Sequence, residues 1–280
     1  METSSSPESG FTLNYDHVRQ LLVQFVRDES RNAGFERAVV GVSGGVDSAV
    51  AVTIAAGALG PENVLGVMMP YSSSSPASAK DAAQVLAHLG VKSETVDISP
   101  MVDAFLARDQ KMDRVRRGNL MARARMIVLY DLSARDRAIV VGTSNKTEIL
   151  LGYGTLHGDT ACGINPIGDL YKTQVWELAA ALGVPRAIVE KKPTADLWEG
   201  QTDEDELGFS YKLVDRLLFR MIDEQRNEAD LAASGFEKHF IAKVREKIRL
   251  NQFKRRPPLV AKISNRTVTI DFRHPGDRGI

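Results

Sequence analysis

Runs rich in Val and Ile recur through the first half of the chain, at 37–42, 64–69, 92–98 and 138–142, and they read as continuous rather than alternating strands. Between them lie stretches with apolar residues at i, i+3 and i+4. Strands of that kind, separated by amphipathic helices, predict a parallel sheet covered on both faces by crossover helices. The fold class is therefore α/β, doubly wound. A helix predicted over 15–33 precedes the first strand and gathers Val18, Leu21, Leu22, Phe25 and Val26 on one side. Further helices are predicted over 48–58, 78–89 and 119–133, and Ser78 with Asp81 three residues on reads as a helix start.

After the fourth strand the pattern changes. A Gly-rich loop runs over 152–168, a helix over 172–182 is ended by Gly183 and Pro185, and a polar acidic stretch covers 191–207. The segment 209–249 is helical and amphipathic. It leads into the basic run Lys254, Arg255 and Arg256, and Pro257 and Pro258 forbid further helix. The tail 260–272 alternates weakly and reads as an edge strand or a loop. With no repeat and no linker of disordered composition, the expectation is one domain over 1–280 with a helical C-terminal portion at about 209–258.

Composition narrows this picture little. The 280 residues carry 36 basic and 36 acidic side chains, so there is no general pull toward nucleic acid or an anionic membrane, and neither is expected as a partner. Cys162 is the single cysteine, which excludes an internal disulfide framework or a four-cysteine zinc site and suits a reducing compartment. The longest apolar stretch without charge, 48–61, is short of the ~20 residues that span a bilayer. The first residues lack the basic and apolar regions of a signal peptide, and the expected location is cytoplasmic.

Chemistry concentrates where the first strand runs into Gly41, Val42, Ser43, Gly44, Gly45, Val46, Asp47 and Ser48, followed by a helix. Glycines allow a tight turn and close approach of an anion, serines add hydroxyl donors, and the helix start supplies free N–H groups. The junction is expected to bind phosphate. Asp47 fits such a place only as a magnesium ligand, since that cation is held by one or two carboxylates together with phosphate oxygens. A Walker A loop requires G-x-x-x-x-G-K-[ST], which the chain lacks. A dinucleotide fingerprint requires G-x-G-x-x-G after a strand, and the segment 152–158 fails at its third glycine. A ligand-free tight turn explains a lone Gly-Gly but not the whole of S-G-G-x-D-S.

Ser43 to Ser48 resembles the pyrophosphate loop of the ATP pyrophosphatases, which split ATP between its α- and β-phosphates and adenylate a substrate. Further segments, 142–148 (GTSNKTE), 165–175 (NPIGDLYKTQV), 192–198 (KPTADLW) and 200–208 (GQTDEDELG), are together similar to the NAD synthetase family. That likeness extends over about 21–258. It implies an adenine nucleotide alpha hydrolase-like, Rossmann-like fold and ATP-dependent amidation of nicotinic acid adenine dinucleotide (deamido-NAD), with release of AMP and pyrophosphate. It further implies ATP contacts from residues 41–48, Thr143, Lys172 and Thr194, magnesium on Asp47 and Glu148, and dinucleotide contacts from Arg123 and Lys254. Plainer readings stand beside these. Glu148 also suits a first-turn carboxylate favoured by the helix dipole, Lys172 a solvated lysine, and Lys254 a charged surface near a chain end. Arg125 lies two residues from Arg123, so the two cannot share a helix face. The acidic run 203–206 reads as a polar lid between Gly200 and Gly208, or as a metal site.

The chain departs from the common ammonia-dependent pattern at Leu156 and Gly163, where a lysine and an aspartate are frequent, and at Phe253, where a histidine is frequent. There the sequence is closer to the synthetase domain of glutamine-dependent members. A glutaminase domain of ~270 residues does not fit in this length, so free ammonia is the expected donor, with a separate glutaminase subunit as the alternative. Asp47 and Lys172 are the expected catalytic groups, and Asp159 is the candidate for deprotonating ammonium. The family resemblance also implies a homodimer, for which the helices at 15–26 and 119–132 offer apolar faces. Rival readings are another adenylating synthetase, a tRNA-modifying enzyme, and a non-catalytic nucleotide sensor.

Overall fold

The computed structural model describes residues 10–194, 202–265 and 267. Strands β1 (Arg37–Gly41), β2 (Val64–Met68), β3 (Lys92–Thr95) and β4 (Ala138–Val141) form one parallel sheet in the order β3-β2-β1-β4. Val39 lies opposite Leu65 on one side and Val140 on the other. β1, β2 and β4 are buried on both faces, as continuous apolar runs require. β3 departs from that expectation. Its Lys92, Ser93 and Thr95 are exposed, and on this outer strand such polar side chains discourage pairing with another chain.

Helix α2 (Val46–Leu59) is apolar all round and buried from Ala49 to Ala56 apart from a half-buried Thr53. A helix without a polar face needs cover on every side. It finds it among β1, α1 (Tyr15–Asn32) and α7 (Lys172–Ala181). On the opposite sheet face, α4 (Ser99–Leu106) and α5 (Arg114–Asp136) pack Val102, Met121, Ala124, Val128 and Leu132 against Val39, Val67 and Val140. Sequence patterning missed α4 and began α5 too late. Asp113 starts α5 by accepting the Arg116 N–H at 2.8 Å. In α3 (Pro76–Leu89) the residue before the helix is Ser75, followed by proline in the first turn. Ser78 and Asp81 therefore cap nothing. They receive the Lys191 ammonium at 3.2 and 2.7 Å.

The single helical segment expected over 209–249 is divided. After the short α8 (Arg186–Val189), α9 (Asp203–Leu207) precedes α10 (Tyr211–Leu218), which widens into a π turn at Phe219–Asp223, and α11 (Glu228–Ala233) and α12 (Lys238–Leu250) follow. Gln225 and Gly235 take positive φ at the breaks, and Asn227 caps α11 through the Asp230 N–H. These helices bury Val214, Leu217, Leu218, Ile241 and Val244 together with Leu151 of α6 (Lys146–Leu151) and Tyr171 before α7. Residues 260–265 of the tail form no strand, and most of 266–272 lies outside the described residues. Among the described residues no helix is long and apolar enough to cross a membrane.

Candidate active site

The chain passes from β1 outward through β2 to β3 and then returns to the other side of β1 to form β4. The crevice beyond the carboxyl ends of β1 and β4 is thus the switch point at which open α/β sheets bind ligands. A cavity of about 740 Å³ opens there. It is lined by residues of the 41–48 loop, by Thr143 and Glu148, and by Lys172, Lys191 and Thr194.

Gly45, in extended conformation, precedes α2 without any side-chain cap. The first N–H groups of this 14-residue helix are left for a ligand. The loop is held open by its own serines: Ser48 Oγ donates to Gly45 O at 2.9 Å and accepts the Ser43 N–H at 3.2 Å, and Ser43 Oγ accepts the Gly45 N–H at 3.3 Å. Gly44 has φ +80°, and a Cβ there would lie 2.2 Å from the Ser78 carbonyl oxygen. Only glycine fits this contact between the loop and α3.

Asp47, Glu148 and Lys172 converge from the starts of three helices. Lys172 Nζ lies 2.5 Å from Asp47 Oδ2 and 3.4 Å from Glu148 Oε1, and its side chain is 3% exposed. A lysine in the first turn opposes the helix dipole, and here the two carboxylates supply the compensation. Burial lowers the affinity of Lys172 for its proton, but Asp47 and Glu148 outweigh it and the ammonium is held well above its ordinary range. Burial raises the Glu148 carboxyl, Lys172 opposes that, and Asp47 and Asp203 add to it.

Asn145, fully buried, is a site residue that sequence reasoning missed. Its Nδ2 donates to Asp47 Oδ1 at 2.9 Å, and it forms a capping box with Glu148. Asn followed three residues later by Glu was the available signal. Among the described residues no group of three or more His, Cys, Asp or Glu is arranged to hold a metal. Two carboxylates meeting at one ammonium fit magnesium instead, a hard cation that takes its remaining ligands from phosphate and water.

The rest of the lining includes Gly152, Tyr153, Gly154, Thr155, Asp159, Asp203, Glu206 and Lys254. Asp159 accepts the Thr155 N–H at 2.7 Å, and surrounding protein raises its carboxyl while that bond and Lys254 oppose the rise. Lys254 donates to the carbonyls of Gly152 and Gly154 at 2.7 and 2.8 Å, so it closes the end of α6 as well as facing the cavity. Arg255 likewise donates to Ile149 O, Leu150 O and Ile248 O.

The acidic run expected as a polar loop is helix α9. Asp203 is 4% exposed and accepts hydrogen bonds from Tyr153 and Tyr211 at 3.0 and 3.2 Å. Gly200, the other end of the expected lid, lies outside the described residues.

Of the paired arginines, Arg125 lines the cavity and donates to Met69 O at 3.1 Å. Arg123 is exposed, outside the cavity lining, and donates to Leu156 O at 3.3 Å. Gly163 lies against β4, where a Cβ would come within 2.7 Å of Ile139 Cγ1. Leu156 is half-buried and Phe253 is 59% exposed.

A glycine-rich strand-to-helix loop at the switch point of a parallel sheet, facing a converging lysine and two carboxylates, has the build of a nucleotide-binding α/β protein. The NAD synthase family model matches residues 18–258, and the chain belongs to that family. It is 52% identical over 271 residues to the NH(3)-dependent NAD(+) synthetase of Trichlorobacter lovleyi, covering 97% of this chain and 99% of the relative. A relative of the same name from Chlorobium phaeobacteroides is 54% identical, over 95% of this chain and 96% of its own.

Two solved structures are similar over their full length: an NMN synthetase from Francisella tularensis, with TM-score 0.80 and 33% identity over 90% of this chain, and an NH3-dependent NAD synthetase from Campylobacter jejuni, with TM-score 0.76 and 32% identity over 89%. A glutamine-dependent NAD+ synthetase from Acinetobacter baumannii, solved with ADP, matches over 98% of this chain but 51% of its own, with TM-score 0.68 and 31% identity.

Proposed function

We propose that this protein amidates deamido-NAD to NAD with ammonia, through an adenylated intermediate. The observation that carries the reading is the meeting of Asp47, Glu148 and Lys172 beside an uncapped phosphate loop. The nicotinate carboxylate attacks the α-phosphorus of ATP and the bond to the β-phosphate oxygen breaks, releasing pyrophosphate. Ammonia then attacks the acyl carbon, AMP leaves and the amine gives up a proton.

Residues 41–48, Thr143, Lys172 and Thr194 bind ATP in this reading. The loop N–H groups and Lys172 neutralise charge on the departing pyrophosphate, which is where fixed donors in a dry site have most effect. Asp47 and Glu148 would hold magnesium, which would supply positive charge to screen the phosphates. Asp159, a carboxyl raised by its surroundings, takes the proton from ammonium. Arg123 and Lys254 face the dinucleotide. For Arg123 this places part of the substrate outside the cavity, on the exposed side of α5.

That side of α5 also exposes Ile127 at 55% and Tyr130 at 41%, and we infer that it forms a homodimer interface beside the dinucleotide. On α1, Leu21 and Phe25 are exposed as well. Elution as a monomer in gel filtration at working concentration would remove the dimer. The chain acts as one synthetase unit, and a single free cysteine suits a cytoplasmic enzyme.

The test follows AMP, pyrophosphate and NAD from Mg-ATP and deamido-NAD with ammonium or glutamine. NAD formed with ammonium alone is the expected result. NAD formed from glutamine only when a second protein is added assigns the donor to a glutaminase subunit. Nicotinic acid mononucleotide is the rival acceptor, on the likeness to the Francisella protein. ATP bound but never cleaved with either acceptor overturns the reading in favour of a sensor.

A further inference from the structure

Glu148 and Lys172 each sit in the first turn of a short helix, and each is flanked by residues tied to one further element. Thr147, beside Glu148, donates its hydroxyl to Asp215 Oδ1 at 2.6 Å. Thr173, beside Lys172, donates both N–H and Oγ1–H to Asp215 Oδ2 at 2.8 Å. The Lys172 N–H in turn donates to Thr147 Oγ1 at 3.0 Å. Asp215 is fully buried on α10.

A second aspartate repeats the arrangement. Asp223 accepts the Lys146 ammonium at 2.7 Å and the Tyr171 hydroxyl. Lys146 and Tyr171 are the immediate neighbours of Thr147 and Lys172 on the side away from the first contact. Lys146 also lies 4.8 Å from the Tyr171 ring centre.

The π turn explains how one helix reaches both pairs. Two ordinary helical turns span ~7.2 residues, and the two aspartates are further apart than that in sequence. At Phe219–Asp223 the helix closes through a bond from the Glu224 N–H to Phe219 O, with an extra residue in the turn. The widened turn brings Asp223 back to the face that carries Asp215. π turns are rare inside α-helices and occur frequently at functional sites.

We propose that Asp215 and Asp223 are positioning residues for ATP cleavage: together they fix the starts of α6 and α7 against each other, and so set the distance between Glu148 and Lys172. Neither aspartate lines the cavity. The proposal rests on the reading of Lys172 and Glu148 as the ATP-cleaving groups. Loss of the clamp lets the two helix starts shift separately, so its effect falls on ATP and not on ammonium.

The test compares Asp215→Asn, Asp223→Asn, Thr147→Val and Thr147→Ser in the full-length protein, with KM and kcat for Mg-ATP, deamido-NAD and ammonium measured beside melting temperature. Asp215→Asn, Asp223→Asn and Thr147→Val are each expected to lower kcat/KM for Mg-ATP about tenfold while KM for ammonium stays unchanged. Thr147→Ser, which keeps the hydroxyl, is expected within about twofold of wild type. In a Lys172→Ala background, Asp215→Asn is expected to add almost nothing, since the group it positions is gone.

Wild-type kinetics per folded molecule in Asp215→Asn, or in Thr147→Val should Asp215→Asn not fold, would overturn the proposal and leave the network a support of the fold alone. A rise in KM shared by all three substrates would overturn it equally. Full activity of Lys172→Ala would instead sink the assignment of Lys172 itself, and the clamp with it.

Discussion

At the phosphate end of the cavity a contiguous stretch of chain, Gly41 to Ser48, supplies backbone N–H groups, two serine hydroxyls and the Asp47 carboxylate. In the rest of the lining Tyr153, Asp159, Asp203, Glu206 and Lys254 arrive from separate segments, and all but Asp159 are held by hydrogen bonds between residues far apart in sequence. The first end is made mostly of backbone, whose shape depends on a glycine at φ +80° and a helix start. The second is made of side chains, whose positions depend on one another. Substitutions at the phosphate end should therefore act sharply and through ATP, whereas those in the side-chain-built part should spread between stability and the second substrate.

The sharpest break is Lys172→Ala. It removes the cation that neutralises pyrophosphate and leaves Asp47 and Glu148 facing one another across a nearly dry site. A fall in kcat of about 10²–10³-fold is expected, the usual scale for losing one fixed group that stabilises transition-state charge. Steady-state pyrophosphate release measures it, and magnesium affinity should rise, since two carboxylates lose their competing partner. An unchanged kcat would mean that the lysine only balances buried acids.

A smaller effect comes from the support beneath the phosphate end. Burial pushes the Asp215 carboxyl up to about 6 from an ordinary value of 3.8, against three hydrogen bonds that lower it. Between those values the native state holds the proton more tightly than the unfolded chain. The contribution of this group to stability is thus fullest below pH 4 and is lost as pH rises through 6, by at most about 3 kcal/mol. Urea unfolding of wild type and Asp215→Asn at pH 4.5, 6 and 7.5 checks the sign: the variant should gain on wild type as pH rises and then run parallel to it above pH 7. A difference independent of pH would show that Asp215 ionises in the fold as it does in the open chain.

The same contrast explains what could be read from the sequence. Strands β1, β2 and β4 and the loop after β1 announce themselves locally, because apolar runs and glycines act on their own neighbours. β3 was placed but its exposure was not, since a strand's position in a sheet is a non-local property. Ser78 and Asp81 matched a helix-start pattern, yet the structure spends them on Lys191 from far along the chain. Asp215 and Asp223 read as ordinary polar positions in an amphipathic segment, and Asp203 as part of an exposed polar lid or metal site. Only packing of α9 and α10 against α6 and α7 turns them inward, and no spacing within their own segments records that. Arg123 and Arg125 were correctly seen to diverge, but which one enters the cavity is decided by how α5 lies on the sheet.

Lys254→Met gives the smallest expected effect and decides how far the contrast holds. The thioether keeps most of the length and apolar stem of lysine but donates nothing, so the carbonyls of Gly152 and Gly154 lose the ammonium that joins them. Those carbonyls close α6 next to Asn251, which packs so near Gly152 that a Cβ there would fall 2.2 Å from the Asn251 Cβ. The C-terminal segment and the Gly-rich loop thus move together or not at all. Hydrogen bonds to a charged donor that is partly solvated contribute about 1–2 kcal/mol, and a loss of that size in urea unfolding is expected, with KM for deamido-NAD raised a few-fold and KM for Mg-ATP unchanged. If instead KM for deamido-NAD rises more than tenfold while stability is untouched, Lys254 binds the substrate directly and the carbonyl bonds are its resting place. The side-chain-built part would then resemble the phosphate end, a site that contacts its ligand through a few dedicated groups, and the contrast between a backbone-built and a side-chain-built half would narrow to Tyr153, Asp203 and Glu206.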